Sequence, residues 1–397
     1  MGELVDARTA AERLGVDVRT LYAYVSRGSL RRVPGPDSRS SRYDSDDLEL
    51  LAQRSRPRTL PRPTASIDLV IATRVSTVTD GMVRYRGTNV LDLVASGASF
   101  EDVADLLWQD ATGDWPEPAA DEAAAGVLGA LGAGIPVLQR FAIAIAARPA
   151  SSLPADGTAA ARWAAYGRGL IACLAEVGGR PRDASGPRGL PRDVRPDVAG
   201  RLWERWSPLR PTGARVRALN TALVLLAEHE LALSTLSVRV AASARAAPGA
   251  CVLAGLSTLS GALHGGVGPV VHDLLANGDS EAAPRSRVAF GHVVHRHGDP
   301  RTAPLLDAVD AFATPADRAR IRDVRQAAAA QPNIDFPLGA LAYAARMPPE
   351  ATTAIFAIAR TAGWIAHAAE EYAEAPLRFR GQAFRRRVRP GQASLSR

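Results

Sequence analysis

Apolar residues recur every three or four positions through most of this chain, the spacing that places them on one face of an α-helix. The first such region, residues 4–33, predicts two short helices joined by a turn at Gly15. Asp6 and Asp17 stand at the two helix starts, where a carboxylate caps the exposed main-chain N–H groups. The inner faces of the two helices are formed by Ala10, Ala11 and Leu14 and by Leu21, Tyr24 and Val25.

A basic loop, "RRVPGPDSRSSRYD", and a third predicted helix, "SDDLELLAQR", follow this pair. The order of helix, short turn, helix and basic loop resembles the winged helix-turn-helix of the excisionase and MerR-type families over about residues 1–55. The resemblance implies DNA as a partner, with base or phosphate contacts from Arg19, Thr20 and Tyr22 and backbone contacts from Arg31, Arg32, Arg39 and Arg42. The alternative is a helical appendage that packs on the chain's own body or on a partner, with its arginines merely solvated.

Two segments rich in arginine and proline lack apolar periodicity. The first, "RSRPRTLPRPTAS", has four arginines and three prolines and predicts a semi-rigid linker. We therefore divide the chain into a domain at 1–55, a linker at 56–67 and a body at 68–397. The second segment, residues 178–197, predicts an exposed loop within the body.

The body has a strongly helical pattern. Ser99 precedes an apolar-periodic run and Asp102 stands three residues later, which is the arrangement of a capping box. Residues 348–372 begin with prolines and are apolar on nearly every side, which predicts a buried helix. Arg360 lies in the middle of that helix, so its charge needs a partner, and a ligand carboxylate would serve.

Composition supports a helical fold. Hydrophobic residues make up 47% of the 397 residues and aromatic residues 5%, so the core must consist mainly of Ala, Leu and Val, which argues against an all-β architecture. The net charge of +7 does not by itself indicate a nucleic-acid surface, because all 48 basic residues are arginine and they are scattered along the chain.

Cysteine content and apolar runs bear on the cellular compartment. Cys173 and Cys251 are the only cysteines, and both lie in apolar sequence, which favours a reducing compartment and argues against disulfides or a cysteine-ligated metal. The N-terminal residues are charged and lack the apolar run typical of a signal peptide. The most apolar stretches are short and interrupted by Gly, Pro or Ser, so we expect a cytoplasmic protein with no membrane span.

Six strings in the body occur together in one order. They are "YRGTNVLDL", "LLAEHELALST", "GALHGGVG", "FGHVVHRHGDPR", "NIDFPLGAL" and "IFAIARTAGWIAHAAEEY". In order and approximate spacing they resemble the citrate synthase family, over about residues 68–385. The resemblance implies an all-α fold with a large domain, a small closing domain at about 266–346, and a homodimer whose active sites borrow a residue across the interface. It also implies an acyltransferase of the tricarboxylic acid cycle.

Condensing an acyl-CoA with oxaloacetate requires three groups of specific character. A carboxylate base must remove a proton from the acyl carbon while a hydrogen-bond donor stabilises the oxygen of the forming enolate. A second donor must meet the alkoxide that forms when the enol attacks the ketone. The resemblance gives these catalytic roles to Asp335, His264 and His292 in that order.

The two substrates also need binding groups. Forked guanidinium groups suit the two carboxylates of oxaloacetate, and the resemblance places Arg301, Arg360 and, from the other subunit, Arg378 there, with His229 completing the pocket. It further places Gly265, Gly266 and Arg296 against CoA. No cofactor beyond the acyl-CoA co-substrate is expected. Residues 292–297 place three histidines close together, but structural zinc needs four ligands, so we predict no metal site.

Several positions depart from the family pattern. They are Ala232, where an asparagine is frequent, Val267 and Gly268 in place of Ala-Asn, Leu338 in place of a small polar residue, His295 at a position more often tyrosine or aliphatic, and Phe379 within the usual Arg-Pro-Arg. The sequence therefore leaves two acyl donors open, acetyl-CoA giving citrate and propionyl-CoA giving 2-methylcitrate. A third hypothesis is a DNA-binding regulator whose synthase-like body serves as metabolite sensor and dimerisation module.

Overall fold

The structure is a computed structural model and consists of two compact units, residues 1–72 and 73–397. It describes residues 4–14, 16–26, 30–35, 41–45, 47–48, 69–79, 81–116, 122–132, 134–148, 159–179, 197–277, 289–291, 294–295, 298–328 and 330–380. The predicted linker at 56–67 and most of the predicted third helix and of the loop at 178–197 lie outside these residues.

The first unit combines two helices with a small antiparallel sheet. Its elements are β1 (Leu4–Asp6), α1 (Ala7–Leu14), α2 (Val18–Ser26), β2 (Val33–Pro34) and β3 (Ser41–Asp44), with strand order β1-β3-β2. The carboxylates of Asp6 and Asp17 accept hydrogen bonds from the amides of Thr9 and Thr20 at 2.8 and 2.6 Å, as the capping pattern predicts. The small core of the unit includes Ala10, Ala11, Leu21 and Tyr43.

The arginines and aromatic residues of this unit differ in exposure. Arg19 and Tyr22 are exposed on α2, whereas Thr20 is half-buried. Arg42 Nη1 donates to the main-chain oxygen of Leu4 at 3.1 Å, so this side chain supports the sheet. Arg39 lies outside the described residues.

The second unit is built mainly from helices. They are α3 (Val90–Ala95), α4 (Phe100–Trp108), α5 (Glu122–Leu131), α6 (Val137–Ala147), α7 (Ala159–Gly178), α8 (Val198–Trp206), α9 (Gly213–Leu226), α10 (Leu233–Ser243), α11 (Pro248–Leu259), α12 (Val267–Asn277), α13 (Thr302–Asp310), α14 (Pro315–Ala327), α15 (Asp335–Ala344) and α16 (Glu350–Tyr372). In the described part of the chain, no helix combines the length and apolar character that crossing a membrane requires.

A second small sheet makes the fold mostly helical rather than strictly all-α. Strands β4 (Ser76–Thr79), β5 (Met82–Tyr85) and β6 (Thr88–Asn89) pair antiparallel in sequence order. Sequence periodicity did not predict these strands, because runs of two to four residues are too short to show a clear alternation.

The capping box and the buried helix both form as their patterns predict. Ser99 and Asp102 exchange side-chain and main-chain hydrogen bonds at the start of α4. Helix α16 is buried along almost its whole length, from Ala351 to Ala368. This helix passes through the core of the second unit. A functional side chain at its middle therefore lies in the protein interior.

Gly363 allows α16 to approach the end of α9 closely. Its amide donates to the main-chain oxygen of Ala227 at 3.2 Å. A Cβ at this position would lie 2.6 Å from that oxygen and would overlap the Glu228 carboxylate. The Ala227 oxygen belongs to the backbone, and the fully buried Glu228 carboxylate is held through its other oxygen by Ser76 and His367, so the space cannot open without disturbing the core.

We expect Gly363→Ala to destabilise the protein by about 1–3 kcal/mol or more, the range for overpacking a core. The matched variant is Gly126→Ala in α5, where nothing lies within 4 Å of the added methyl. That change should stabilise by about 0.5–1 kcal/mol through helix propensity. Thermal denaturation of both variants checks the pair, and equal shifts of the two midpoints would contradict the packing argument.

Candidate active site

His264 lies on a tight loop between α11 and α12. Within this loop the amide of His264 donates to Gly261 and the amide of Gly265 donates to Leu259, both at 2.9 Å. A Cβ on Gly265 would overlap the Leu259 carbonyl, and one on Gly266 would lie 2.9 Å from the Cα of Ala262. The glycine pair is therefore needed for the loop itself to close.

A serine fixes the ring of His264. Ser234, at the start of α10, places its Oγ 2.9 Å from His264 Nε2. Trp364 Nε1 donates to the same oxygen at 3.4 Å. Ser234 Oγ can accept from the indole and donate its own proton to Nε2, and in that arrangement a neutral imidazole carries its proton on Nδ1.

The surroundings of His264 keep its ring uncharged. Burial, and next the positive charge of Arg360, lower the pKa of His264 to about 4. The ring meets Phe356 edge-on, with centroids 5.8 Å apart. At neutral pH His264 is therefore an N–H donor that carries no charge.

Asp335 is the first residue of α15. Its amide donates to the side chain of Asn333 at 3.0 Å, and the amide of Asn333 donates to the main chain of Ala289. Gly291 and Gln331 are joined by a further main-chain bond of 2.7 Å. These bonds tie the segment before α15 to residues 289–291 and fix where the helix and its carboxylate begin.

The carboxyl group of Asp335 has an unusually high proton affinity. Burial raises its pKa to about 7, against the lowering effect of Arg301 and Arg360, and Asp299 adds to the rise. A carboxyl with this pKa is poised to exchange a proton near neutral pH.

Arg301 is held by an acidic neighbour that sequence reasoning missed. The Asp299 carboxylate accepts hydrogen bonds from Arg301 Nε at 2.9 Å and Nη2 at 2.7 Å. It also accepts from the amide of Ile334 at 3.2 Å, just before Asp335. Asp299 thus links Arg301 to the N-terminus of α15. In the sequence, the signal for this pair is the short spacing of acid and arginine in "DPR".

Arg360 is buried in the middle of α16, as its sequence position predicts. Its Nε donates to the main-chain oxygen of Leu226 at 2.9 Å, and its Cζ lies 4.9 Å from the centre of the Phe356 ring. Burial lowers the pKa of Arg360, while Glu228 and Asp335 act in the opposite direction. Among the residues that the structure describes, Leu226 is the single hydrogen-bond partner of this guanidinium.

The loop that carries His229 is anchored by the sheet of the second unit. Tyr85, from the "YRGTNVLDL" string, donates to the main-chain oxygen of Glu228 at 2.9 Å. Ser76 Oγ donates to the Glu228 carboxylate at 3.2 Å and accepts from the amide of Glu230 at 3.1 Å. Glu230 has a φ of 54°, a left-handed conformation that such anchoring sustains.

His229 contacts a second histidine. Its Nε2 lies 2.8 Å from Nε2 of His295, and both rings are buried. His295 Nε2 is also 3.9 Å from Asp299 Oδ1. Within the described residues, no three His, Cys, Asp or Glu side chains are grouped so as to hold a metal ion.

Arg378 forms an ion pair within its own chain. Its Nε and Nη2 each lie 2.6 Å from an oxygen of the buried Glu371. Glu371 also binds Arg239, whose Nη1 is 2.9 Å from His367 Nδ1. This chain of buried polar groups ends at Glu228, 3.2 Å from His367 Nε2.

The structure brings several of the sequence-predicted residues together. Arg360 interacts electrostatically with both His264 and Asp335, and Arg301 interacts with Asp335. His229 reaches this group through His295 and Asp299. Arg378 is occupied by Glu371, while His292 and Arg296 lie outside the described residues. Ser234 carries no local sequence signal for its contact with His264, since the two meet only through the tertiary fold.

The chain is similar to known proteins in both sequence and structure. The family model for the citrate synthase C-terminal domain matches residues 68–385. Citrate synthase of Mycolicibacterium smegmatis is 30% identical over 78% of this chain and 90% of its own length. A 2-methylcitrate synthase of Mycobacterium tuberculosis is 34% identical over 41% of this chain and 46% of its own length.

Solved citrate synthase structures share the fold. That of Pyrobaculum aerophilum has a TM-score of 0.64 at 21% identity, covering 85% of this chain and 95% of the other. That of Thermoplasma acidophilum, a ternary complex with carboxymethyl coenzyme A and oxaloacetate, has a TM-score of 0.59 at 20% identity, covering 81% and 96%. The chain belongs to the citrate synthase family and is a transferase of that type.

Proposed function

We propose that this protein condenses an acyl-CoA with oxaloacetate and hydrolyses the resulting thioester, which releases CoA. The observation that carries the proposal is Asp335, a carboxyl with a pKa of about 7 within electrostatic range of Arg301 and Arg360. A base of this strength beside two buried cations suits proton removal next to a bound dianion.

The first step uses Asp335 and His264 together. The ionised carboxylate of Asp335 takes a proton from the acyl carbon next to the thioester carbonyl. The Nδ1 proton of neutral His264, directed there by Ser234, donates to the thioester oxygen as negative charge develops on it. The enol produced then attacks the ketone carbon of oxaloacetate.

Oxaloacetate binding is assigned to Arg301, Arg360 and His229, and we assign the donor for the developing alkoxide to His292. The guanidinium of Arg301 keeps one edge on Asp299, which fixes its orientation. Burial of Arg360 in an apolar helix strengthens its attraction for a carboxylate. Gly265, Gly266 and Arg296 are proposed to contact CoA.

The proposed assembly is a homodimer in which Arg378 of one chain reaches the site of the other. Within a single chain this arginine is bound to Glu371 on the C-terminal part of α16. Entry into a partner's site therefore requires this ion pair to be exchanged for a substrate carboxylate. The neighbouring Arg239 would remain to neutralise Glu371.

Acetyl-CoA is the proposed acyl donor, with propionyl-CoA as the alternative. The citrate synthase of Mycolicibacterium smegmatis matches over 90% of its own length, and the 2-methylcitrate synthase over 46%. One additional methylene changes binding by only about 1–3 kcal/mol in an apolar pocket, so a direct comparison of the two donors is needed.

The test measures CoA release from acetyl-CoA and from propionyl-CoA with oxaloacetate present. We expect release with at least one donor, and the ratio of kcat/KM identifies the preferred one. Asp335→Asn should reduce kcat by about 10²–10⁴, the contribution of a general base, with the fold retained by circular dichroism. Undiminished turnover in that variant would refute the assignment of the base.

The rate should depend on pH through Asp335. Because its pKa is about 7 and the ionised form is the base, kcat/KM for the acyl-CoA at saturating oxaloacetate should rise with pH between about 5.5 and 8.5. His264, with a pKa of about 4, adds no inflection in this range. Asp307→Asn, which removes an exposed carboxyl of α13, should leave the profile unchanged. A profile that is flat across this range in the unmodified protein contradicts the role of Asp335.

For residues 1–55 we propose a second function, DNA binding as a winged helix-turn-helix. It is supported by the exposure of Arg19 and Tyr22 on α2, the second helix of a pair followed by the β2–β3 hairpin. Tyr22 is 51% exposed, which leaves an aromatic residue available for contact with a partner.

Fluorescence anisotropy with labelled DNA from upstream of the protein's own coding region tests this function. Binding should weaken steeply with salt and should fall in Arg19→Ala. Arg8→Ala removes the same charge from α1, where the side chain is 89% exposed, and serves as the control. Equal effects of the two substitutions, or no binding by the unmodified chain, would count against a DNA-binding helix.

A further inference from the structure

The contact between His229 and His295 is unusual because both partners are imidazoles. Their Nε2 atoms are 2.8 Å apart, and the ring planes meet at 67°. A hydrogen bond between two such nitrogens needs one donor and one acceptor, so a single proton lies between them. The side chain of His295 is fully buried, and the contact therefore has no competition from solvent.

His295 also borders the ion pair that holds the arginine clamp. Its Nε2 is 3.9 Å from Asp299 Oδ1, and Asp299 binds Arg301 through two hydrogen bonds. His295 thus lies between the loop that carries His229 and the segment that carries Arg301. A change in the protonation or position of the His295 ring therefore affects both His229 and Arg301, which we assign to oxaloacetate binding.

The surroundings of His295 favour its uncharged form in the absence of a ligand. Burial lowers the pKa of His295, Asp299 opposes this, Arg301 lowers it further and the main-chain oxygen of Gly81 raises it. Among the described residues, other charged groups near the pair are Glu228, Glu230, Asp335 and Arg360. An incoming dianion would add negative charge beside the pair, which favours the uptake of a proton.

We propose that His295 is a positioning residue for oxaloacetate: it holds the ring of His229 through the bond between the two Nε2 atoms, and when the dianion binds the pair takes up one additional proton on a ring nitrogen outside that bond. This inference rests on the proposed function, since it requires oxaloacetate as the ligand. It predicts that the affinity for oxaloacetate falls as pH rises through the range in which the pair loses that proton.

Two substitutions at this position separate the two parts of the proposal. A tyrosine keeps a hydroxyl that can hydrogen-bond to His229. The pKa of that hydroxyl is about 10, so it neither gains nor loses a proton near neutral pH. A phenylalanine fills similar space and has neither property. His295→Tyr therefore tests the additional proton, and His295→Phe tests the hydrogen bond as well.

The experiment measures KM for oxaloacetate, KM for the acyl-CoA and kcat between pH 5.5 and 8.5. In His295→Phe we expect KM for oxaloacetate to rise by about tenfold or more, as when a buried group loses its partner, with much smaller changes in the other two parameters. His295→Tyr should restore most of the affinity at high pH while its KM for oxaloacetate loses the dependence on pH. His272→Gln serves as the control. The His272 ring contacts the main-chain oxygen of Met347, Asp273 and Tyr343, none of which we assign to the pocket.

The outcomes separate this proposal from the function on which it rests. An unchanged KM and unchanged pH dependence in both His295 variants would overturn the positioning role. A parallel loss of kcat and of both affinities, with a lowered melting temperature, would show a structural role and would also overturn it. Failure of the unmodified protein to release CoA, together with no oxaloacetate binding by calorimetry, would instead refute the proposed function.

Discussion

The pocket depends on one constraint: a buried guanidinium group on an otherwise apolar helix needs partners. Arg360 occupies the middle of α16, and a charge in that position is costly unless it is paired. The fold provides the open main-chain oxygen of Leu226 at the end of α9, the face of Phe356 and the electrostatic attraction of Glu228. These partners require α9, α16 and the loop after α9 to meet at one point, and Gly363 is what lets them approach.

The loop after α9 is consequently both structural and chemical. Glu228 faces Arg360 on one side and His367 on the other, where a chain of buried ion pairs leads through Arg239 to Glu371. Breaking one member of such a chain leaves the next charge buried without a partner, which is far more costly than the pair's net contribution to stability. The position of His229, the next residue along, is therefore set by interactions that no ligand is needed to form.

The sequence predicts those parts of the fold that depend on local signals. The capping box at Ser99 and the buried helix α16 follow from residue types at fixed spacing, and both form as expected. The sheet of Ser76 and Tyr85 was missed, because its strands are too short to show a period. The bond from Ser234 to His264 and the pair of His229 and His295 join residues 30 and 66 positions apart, and no local pattern encodes such contacts.

Family motifs supply part of this missing information, because they assign residues far apart in sequence to one site. They predict the role of a residue but not the contacts that fix its position. The glycines after His264 matched a place for CoA in the motif, whereas the structure shows that the loop cannot close with a side chain at Gly265. The same holds for Arg301, whose motif indicates a carboxylate clamp but whose orientation depends on Asp299.

The pocket also runs against the stability of the fold. Folding raises the pKa of Asp335 from 3.8 to about 7, so the folded chain binds this proton more tightly than the unfolded chain does. The contribution of this residue to stability is thus greatest below pH 3.8, falls as pH rises to about 7 and stays low above it. Arg301 and Arg360 offset part of that loss by attracting the ionised form, and each requires its own buried partner in turn. A carboxyl group with a pKa suited to a base at neutral pH therefore lowers the stability of the folded protein at that pH. The surrounding network of Asp299, Arg301, Glu228 and Arg360 holds it in place despite this loss.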